Sequence, residues 1–139
     1  ERIRRFGAPY HGIGRPMKVG KEEMMGLLAA VERYLNLDHE NLERIYEERV
    51  QYWIRGLQEI EGVRAVRDFP NEAGQPVPRT LVELPDHYPK QKVIDTLLQG
   101  DPRVAVAPGD MGNAILLNPM TVNEGEHELV LQRLLQVIQ

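Results

Sequence analysis

The side chains best suited to bind a ligand lie near the start of the chain, in a stretch rich in glycine and proline. Arg15 stands between Gly14, which lets another backbone approach closely, and Pro16, which stiffens the chain. A guanidinium held on such a turn can bind a carboxylate or a phosphate through two parallel hydrogen bonds. His11 lies beside Tyr10 in the same stretch and is a second candidate ligand-binding group. The pattern also fits a salt bridge that fixes this segment to a nearby carboxylate, so both interpretations stand.

Outside this stretch, the sequence contains no recognisable catalytic or metal-binding set. The histidines are far apart, and none has a second histidine or a cysteine at metal-site spacing. His39 and His127 lie at polar helix starts, where we expect solvated groups. The cysteine count is zero, no serine nucleophile motif is present, and Gly12–Arg15 lacks the third glycine of a dinucleotide-binding fingerprint. We therefore expect neither a catalytic residue nor a metal ligand in these 139 residues.

Composition and charge narrow the class of protein. Apolar residues make up 42% and charged residues 27%, as in an ordinary globular domain without a membrane span. Residues 1–18 contain five basic residues and one acidic residue, whereas the remainder contains twelve basic and twenty acidic residues. A predominantly acidic protein makes nucleic acid an unfavourable partner. The lack of cysteine suits the reducing cytoplasm, where we expect the protein to act.

Hydrophobic periodicity predicts the elements that must position the candidate residues. Apolar residues at three- and four-residue steps predict helices at residues 21–36, 38–61, 89–99 and 124–138. Alternating or short apolar runs predict strands at residues 63–69, 79–84, 104–107 and 113–117. In the second strand, Thr80, Val82 and Leu84 share one face. The predicted buried face of the third helix consists of Val93, Ile94, Leu97 and Leu98. Trp53 lies on the apolar face of the longest helix and is predicted to belong to the core.

This order predicts an α+β fold in which a small, mainly antiparallel sheet packs against helices on one face. Residues 1–20 are predicted to form an extended Gly/Pro arm, and residues 21–139 the α+β domain. The sequence starts at Glu1 rather than at a methionine. We interpret it as a fragment, a processed product or a trimmed chain.

The segment APYHGIGRPMKVGKEE, residues 8–23, resembles the start of the carboxy-terminal domain in the selenocysteine-synthase-like group of fold-type-I pyridoxal-phosphate enzymes. The group includes L-seryl-tRNA(Sec) selenium transferase and D-glucosaminate-6-phosphate ammonia-lyase. Residues 26–35 continue the similarity, and residues 69–85 share it more loosely. The resemblance implies the small domain of such an enzyme, preceded by a large domain that binds pyridoxal 5'-phosphate through a lysine.

The resemblance also implies roles for individual residues. Arg15 and Lys18 match the Arg-x-x-Lys that opens this domain in selenium transferases, where the arginine helps to hold an anionic group. By this match, Arg15, Tyr10, His11 and Lys18 are the expected substrate-binding residues, and neither Lys18 nor Lys21 is the cofactor lysine. The chain alone is expected to be inactive.

The complete enzyme implied by the resemblance is a homo-oligomeric lyase or transferase. It would remove the α-proton of a small amino-acid substrate and then eliminate or replace a β-substituent. The small domain would contribute substrate-anion binding and closure of the site. The alternative is a non-enzymatic α+β module for oligomerisation or ligand sensing. Residues 8–23 favour the enzyme, because a free-standing module has no need of an anion-binding arginine on a Gly/Pro arm.

Overall fold

The structure is a computed structural model that describes residues 18–71 and 74–138. The chain divides into two compact units, Glu1–Asp38 and His39–Gln139, which are described separately below. Among the described residues, no helix is both long and apolar enough to cross a membrane. The predicted boundary at residue 20 between arm and domain stays a prediction.

The described part of the first unit contains one helix, α1, at Lys21–Leu35. Glu22 and Glu23 in its first turn and Arg33 in its last turn have the charges that the helix dipole favours. The helix confirms the one predicted from the apolar periodicity. None of its residues is buried, however. The apolar periodicity therefore predicted the helix correctly, although the apolar face is exposed.

The second unit contains three helices and four strands among its described residues. The helices are α2 at His39–Leu57, α3 at Lys90–Gln99 and α4 at Glu126–Ile138, and a 3₁₀ turn lies at Pro119–Thr121. The strands are β1 at Arg64–Asp68, β2 at Arg79–Glu83, β3 at Ala107–Pro108 and β4 at Ala114–Leu117. They form one antiparallel sheet in the order β1-β2-β4-β3, which confirms the predicted α+β class.

The core of the second unit lies between one face of the sheet and the helices α2, α3 and α4. Side chains that alternate along the strands point to this face, and they include Ala65, Val82 and Leu117. The opposing helical side chains are Val50, Trp53, Leu57, Val93, Leu97, Leu131, Leu134 and Ile138. Trp53 is fully buried, as predicted, and its indole Nε1 donates a hydrogen bond to the His127 carbonyl oxygen at 2.8 Å.

A single amide side chain fixes the turn between β2 and α3 to the start of β4. Asn113 Nδ2 donates to the carbonyl oxygens of Leu84, Pro85 and Tyr88 at 3.0–3.1 Å. Its Oδ1 accepts from the Lys90 backbone N–H at 2.7 Å, which satisfies one of the unpaired donors at the start of α3. These four bonds hold the end of β2 and the start of β4 beside the start of α3.

Three local predictions were wrong. Helix α2 ends at Leu57 rather than at residue 61, and residues 58–62 form turns in which Gly62 has φ of +79°. The strand predicted at 104–107 is reduced to Ala107–Pro108, because only these two residues pair with β4. Leu98, which was predicted to face inward with Val93 and Leu97, is 48% exposed.

Candidate functional site

The predicted substrate-binding residues fall mainly outside the described part of the chain. Arg15, His11 and Tyr10 all precede residue 18, so their roles stay predictions. Lys18 is described and is exposed, two residues before the Gly20 N-cap of α1. The candidate site that the structure does describe is a cleft in the second unit.

This cleft has a volume of about 320 Å³ and lies where β2, β4 and the segment before β3 meet α4. That volume is at the lower end of the range for small-molecule sites. Apolar side chains form most of its walls: Trp53, Val104, Val106, Leu116, Val122 and Val130. Arg79, Asn118 and Thr121 provide its polar side chains.

Arg79 is held at the wall of the cleft by an ion pair with Asp68. The two residues are direct cross-strand partners at the ends of β2 and β1. Both Nε and Nη2 of Arg79 donate to Asp68 Oδ2, at 3.0 and 2.6 Å. The arginine side chain is only 11% exposed and that of Asp68 is 32% exposed. A guanidinium with so little freedom is positioned for hydrogen bonding at little further entropic cost.

Helix α2 is hydrogen-bonded to the segment between β4 and α4, which forms another part of the cleft wall. Arg49 Nη1 donates to the carbonyl oxygens of Pro119 and Val122, at 3.0 and 2.6 Å. Asn118 Oδ1 accepts from the Met120 backbone N–H at 3.0 Å and so starts the 3₁₀ turn. These contacts, with the Trp53–His127 bond, join the cleft lining to the buried core.

The cleft offers binding groups without an activated nucleophile. Within the described ranges, no group of three or more histidine, cysteine, aspartate or glutamate side chains is placed to hold a metal ion. The lining residues include no lysine, serine or cysteine, and no histidine or carboxylate lines the cleft to activate the Thr121 hydroxyl. The described arrangement can therefore hold or orient a small molecule, but it lacks the nucleophile–base pair needed to attack one.

The described residues also do not form a pyridoxal-phosphate site. Such a site needs a lysine amine available to bond the cofactor. Lys18, Lys21 and Lys92 are exposed, and Lys90 Nζ donates to the carbonyl oxygens of Gly112 and Gly109 at 2.8 and 3.4 Å. None of these lysines lines the cleft beside Arg79, so the described residues provide no amine for cofactor chemistry.

Sequence reasoning missed two features of the cleft region. Alternation in β2 placed Thr80, Val82 and Leu84 on one face and gave no role to Arg79, which is buried at the wall of the cleft. His127 was expected to be solvated, but its ring packs edge-on against Tyr52 with centroids 5.1 Å apart. Its Nδ1 is buried without a hydrogen-bond partner in the described part of the chain. The available sequence signal was the pair of opposite charges at the facing ends of two predicted strands, Asp68 and Arg79, but only the register joins them.

No family model matches the chain. D-glucosaminate-6-phosphate ammonia lyase from Salmonella typhimurium (strain 14028s) is 29% identical over 134 residues, which cover 94% of this chain and 35% of that protein. A solved structure of D-glucosaminate-6-phosphate ammonia-lyase is similar with a TM-score of 0.68 and 28% identity, over 91% of this chain and 34% of that one. These two similarities confirm the predicted resemblance to the carboxy-terminal domain of a fold-type-I pyridoxal-phosphate enzyme related to this lyase.

Two further proteins are similar to this chain over smaller shares of its length. A 5'-C-glycyluridine monooxygenase-decarboxylase from a Streptomyces species is 39% identical over 75 residues, which are 54% of this chain and 18% of that protein. The structure of an α-aminoadipate aminotransferase from Thermus thermophilus, with N-(5'-phosphopyridoxyl)-L-leucine, matches with a TM-score of 0.52 and 21% identity. It covers 71% of this chain and 26% of that one, and shares the fold. The chain spans about a third of the length of the ammonia lyase.

Proposed function

We propose that this chain is the small domain of a pyridoxal-phosphate-dependent lyase or transferase that acts on an amino acid. The observation that carries the proposal is the extent of the similarity to the ammonia lyase. It covers nearly all of this chain but only about a third of the relative. A domain-sized match of this kind supports a contribution to a larger enzyme rather than an independent activity.

In the proposed enzyme, a preceding domain binds pyridoxal phosphate. The cofactor supplies an acceptor for the negative charge that develops when an amino acid loses its α-proton. The lysines of this chain are exposed or bonded to carbonyl oxygens, which supports assigning the cofactor lysine to that other domain. We also propose a homo-oligomer that acts in the cytoplasm.

The role that we propose for this domain is to bind the anionic part of the substrate and to close the site over it. Arg15 would bind the anion, and Tyr10, His11 and Lys18 would complete the site. The net charge of +4 in residues 1–18 favours capture of a carboxylate or phosphate, since the rest of the chain is acidic. Closure would exclude water and so strengthen these contacts.

The choice between elimination and replacement would be made mainly outside this domain. The two curated relatives carry an ammonia-lyase name and a monooxygenase-decarboxylase name, although both align with parts of this chain. The cleft beside Arg79 has one lining hydroxyl, that of Thr121, and no histidine or carboxylate in its lining that could activate it. We therefore propose binding and closure, rather than bond making or breaking, as the contribution of the small domain.

The test uses the polypeptide that includes the preceding domain. We expect the visible absorbance of lysine-bound pyridoxal phosphate and release of ammonia or a keto acid from an amino-acid substrate. The 139-residue chain mixed with the cofactor should show no such absorbance. A complete polypeptide that binds no cofactor would contradict the proposal and favour a non-enzymatic module.

Arg15→Gln tests the anion site within the same enzyme. Loss of two charge-assisted hydrogen bonds should weaken substrate binding by about 2–4 kcal/mol, seen as a raised KM or a lowered kcat/KM. Arg5→Gln is the matched control, because it removes the same charge from the same segment without the flanking glycine and proline. If Arg15→Gln lowered the melting temperature and left the kinetics unchanged, Arg15 would be a structural salt-bridge residue.

A further inference from the structure

Helix α1 has a continuous apolar face that no described residue of its own unit buries. Six side chains at helical spacing form this face, and each exposes between 47% and 74% of its area: Met24, Leu27, Leu28, Val31, Tyr34 and Leu35. We refer to these six residues as the α1 stripe. Single exposed apolar residues are ordinary, but a continuous row of this size marks an interaction surface.

The rest of α1 is mainly charged or small, and Met25 is its one further large apolar residue. Glu22, Glu23, Glu32 and Arg33 supply charge, and Gly26, Ala29 and Ala30 are small. A 15-residue helix is also marginally stable by itself, because most helical stability in proteins comes from packing of an amphipathic face. The helix therefore requires a surface that covers the stripe and leaves the charged side exposed.

The ammonia lyase indicates what that surface is. This chain corresponds to a carboxy-terminal domain and covers about a third of that relative, so about two thirds of the relative lies outside the match. In the proposed enzyme, that length is the preceding cofactor domain. In the proposed enzyme the cofactor domain precedes this chain, and α1 follows the predicted arm of residues 1–20 that would connect the two domains.

We propose that the α1 stripe is the surface on which the cofactor domain docks, with the stripe seated in an apolar groove of that domain. This inference rests on the proposed function and adds the contact through which the two domains are held together. Inter-domain surfaces of this kind have an apolar centre with a charged rim, and α1 has that arrangement.

Hydrogen exchange of the α1 backbone amides tests the proposal in the complete polypeptide. Leu28→Glu places a charge in the centre of the stripe, and Ala29→Glu places the same charge on the neighbouring, polar side of the helix. We expect strong protection of residues 21–35 in the wild-type protein and in Ala29→Glu. Protection should fall about tenfold or more in Leu28→Glu. Leu28→Ala, a milder change, should give a smaller loss in the same direction if Leu28→Glu does not fold.

The 139-residue chain provides the comparison that distinguishes other occupants. We expect fast exchange of α1 in this chain at all concentrations. Protection already present in the monomer would mean that the stripe packs within this chain, and the docking proposal would be overturned. Protection that appears only when the chain dimerises, and that Leu28→Glu removes, would assign the stripe to a second copy and would also overturn it.

Cofactor absorbance of the same samples separates this proposal from the proposed function. If the complete polypeptide binds pyridoxal phosphate but α1 exchanges equally fast in the wild type and in Leu28→Glu, the docking proposal fails and the proposed function stands. If no cofactor binds, the proposed function fails, and the docking proposal that rests on it fails with it.

Discussion

Helices α1 and α2 have the same kind of amphipathic pattern and opposite environments. Val50, Trp53 and Leu57 on α2 are fully buried, whereas Leu27, Leu28 and Leu35 on α1 are more than 60% exposed. Both patterns correctly predicted helices. Periodicity therefore identifies the apolar face of a helix, but it does not identify the surface that covers this face.

The surface that covers α2 is identifiable because it belongs to the same unit as the helix. The helix packs on the sheet and on α4. Hydrogen bonds from Arg49 and Trp53 reach the carbonyl oxygens of Pro119 and His127, which are 70 and 74 residues later in the chain. No residue of α1 is buried by comparable contacts. Substitutions in this chain should therefore have large effects on α2 and small effects on α1.

The largest expected effect is that of Trp53→Ala. Removing this fully buried indole leaves a cavity and breaks its hydrogen bond to the His127 carbonyl oxygen, and should lower the free energy of unfolding by about 3–5 kcal/mol. Leu28→Ala, on the exposed stripe, should change it by less than about 0.5 kcal/mol. Urea denaturation of the 139-residue chain measures both. Similar losses from the two substitutions would remove the contrast between the helices.

Two glycines offer a comparison in which the signs should differ. A Cβ at Gly26 of α1 meets nothing within 4 Å, so Gly26→Ala should stabilise the chain by about 0.5–1 kcal/mol through helix propensity. A Cβ at Gly56 of α2 would clash with the Leu131 side chain, which is buried in the core. Gly56→Ala should therefore destabilise the chain by about 1–2 kcal/mol. Thermal unfolding at matched concentration compares the two, and a stabilising Gly56→Ala would show that α2 and α4 pack loosely.

A smaller effect should appear in the pH dependence of the contact between α2 and β1. Burial raises the pKa of Glu47, but hydrogen bonds from Gln51 and Arg67, and the charge of Arg67, outweigh it and leave this pKa below 4.5. A lowered folded-state pKa stabilises the protein above the unfolded value, and this contribution is lost as the pH falls through the folded value.

Glu47→Gln should accordingly destabilise the chain at pH 7 by about 0.3–0.5 kcal/mol, because the carboxylate is 39% exposed and solvent screens it. The difference from wild type should shrink as the pH falls below the ordinary range of a glutamate. Glu43→Gln is the control on the same helix, since Glu43 makes no ion pair in the described part of the chain. A difference that stayed constant down to low pH would mean that Glu47 acts through packing.

The candidate site shows where prediction from sequence ended. Arg15 was singled out because its neighbours, Gly14 and Pro16, are adjacent in sequence, and its role stays a prediction. The cleft beside Arg79 was not foreseen, since its lining comes from segments as far apart as Trp53 and Val130. Only the β1–β2 register brings Asp68 to Arg79, and no local pattern specifies that register.

By itself, the sequence determined the helix and strand faces and the antiparallel α+β class, because periods of 3.6 and 2 are local properties. The resemblance at residues 8–36 pointed to the enzyme class. Tertiary structure decided the rest: that β4 lies between β2 and β3, that Arg79 is buried, and that one amphipathic helix is covered while the other is exposed. These outcomes depend on contacts between residues far apart in the chain, whose free energy a local pattern does not contain.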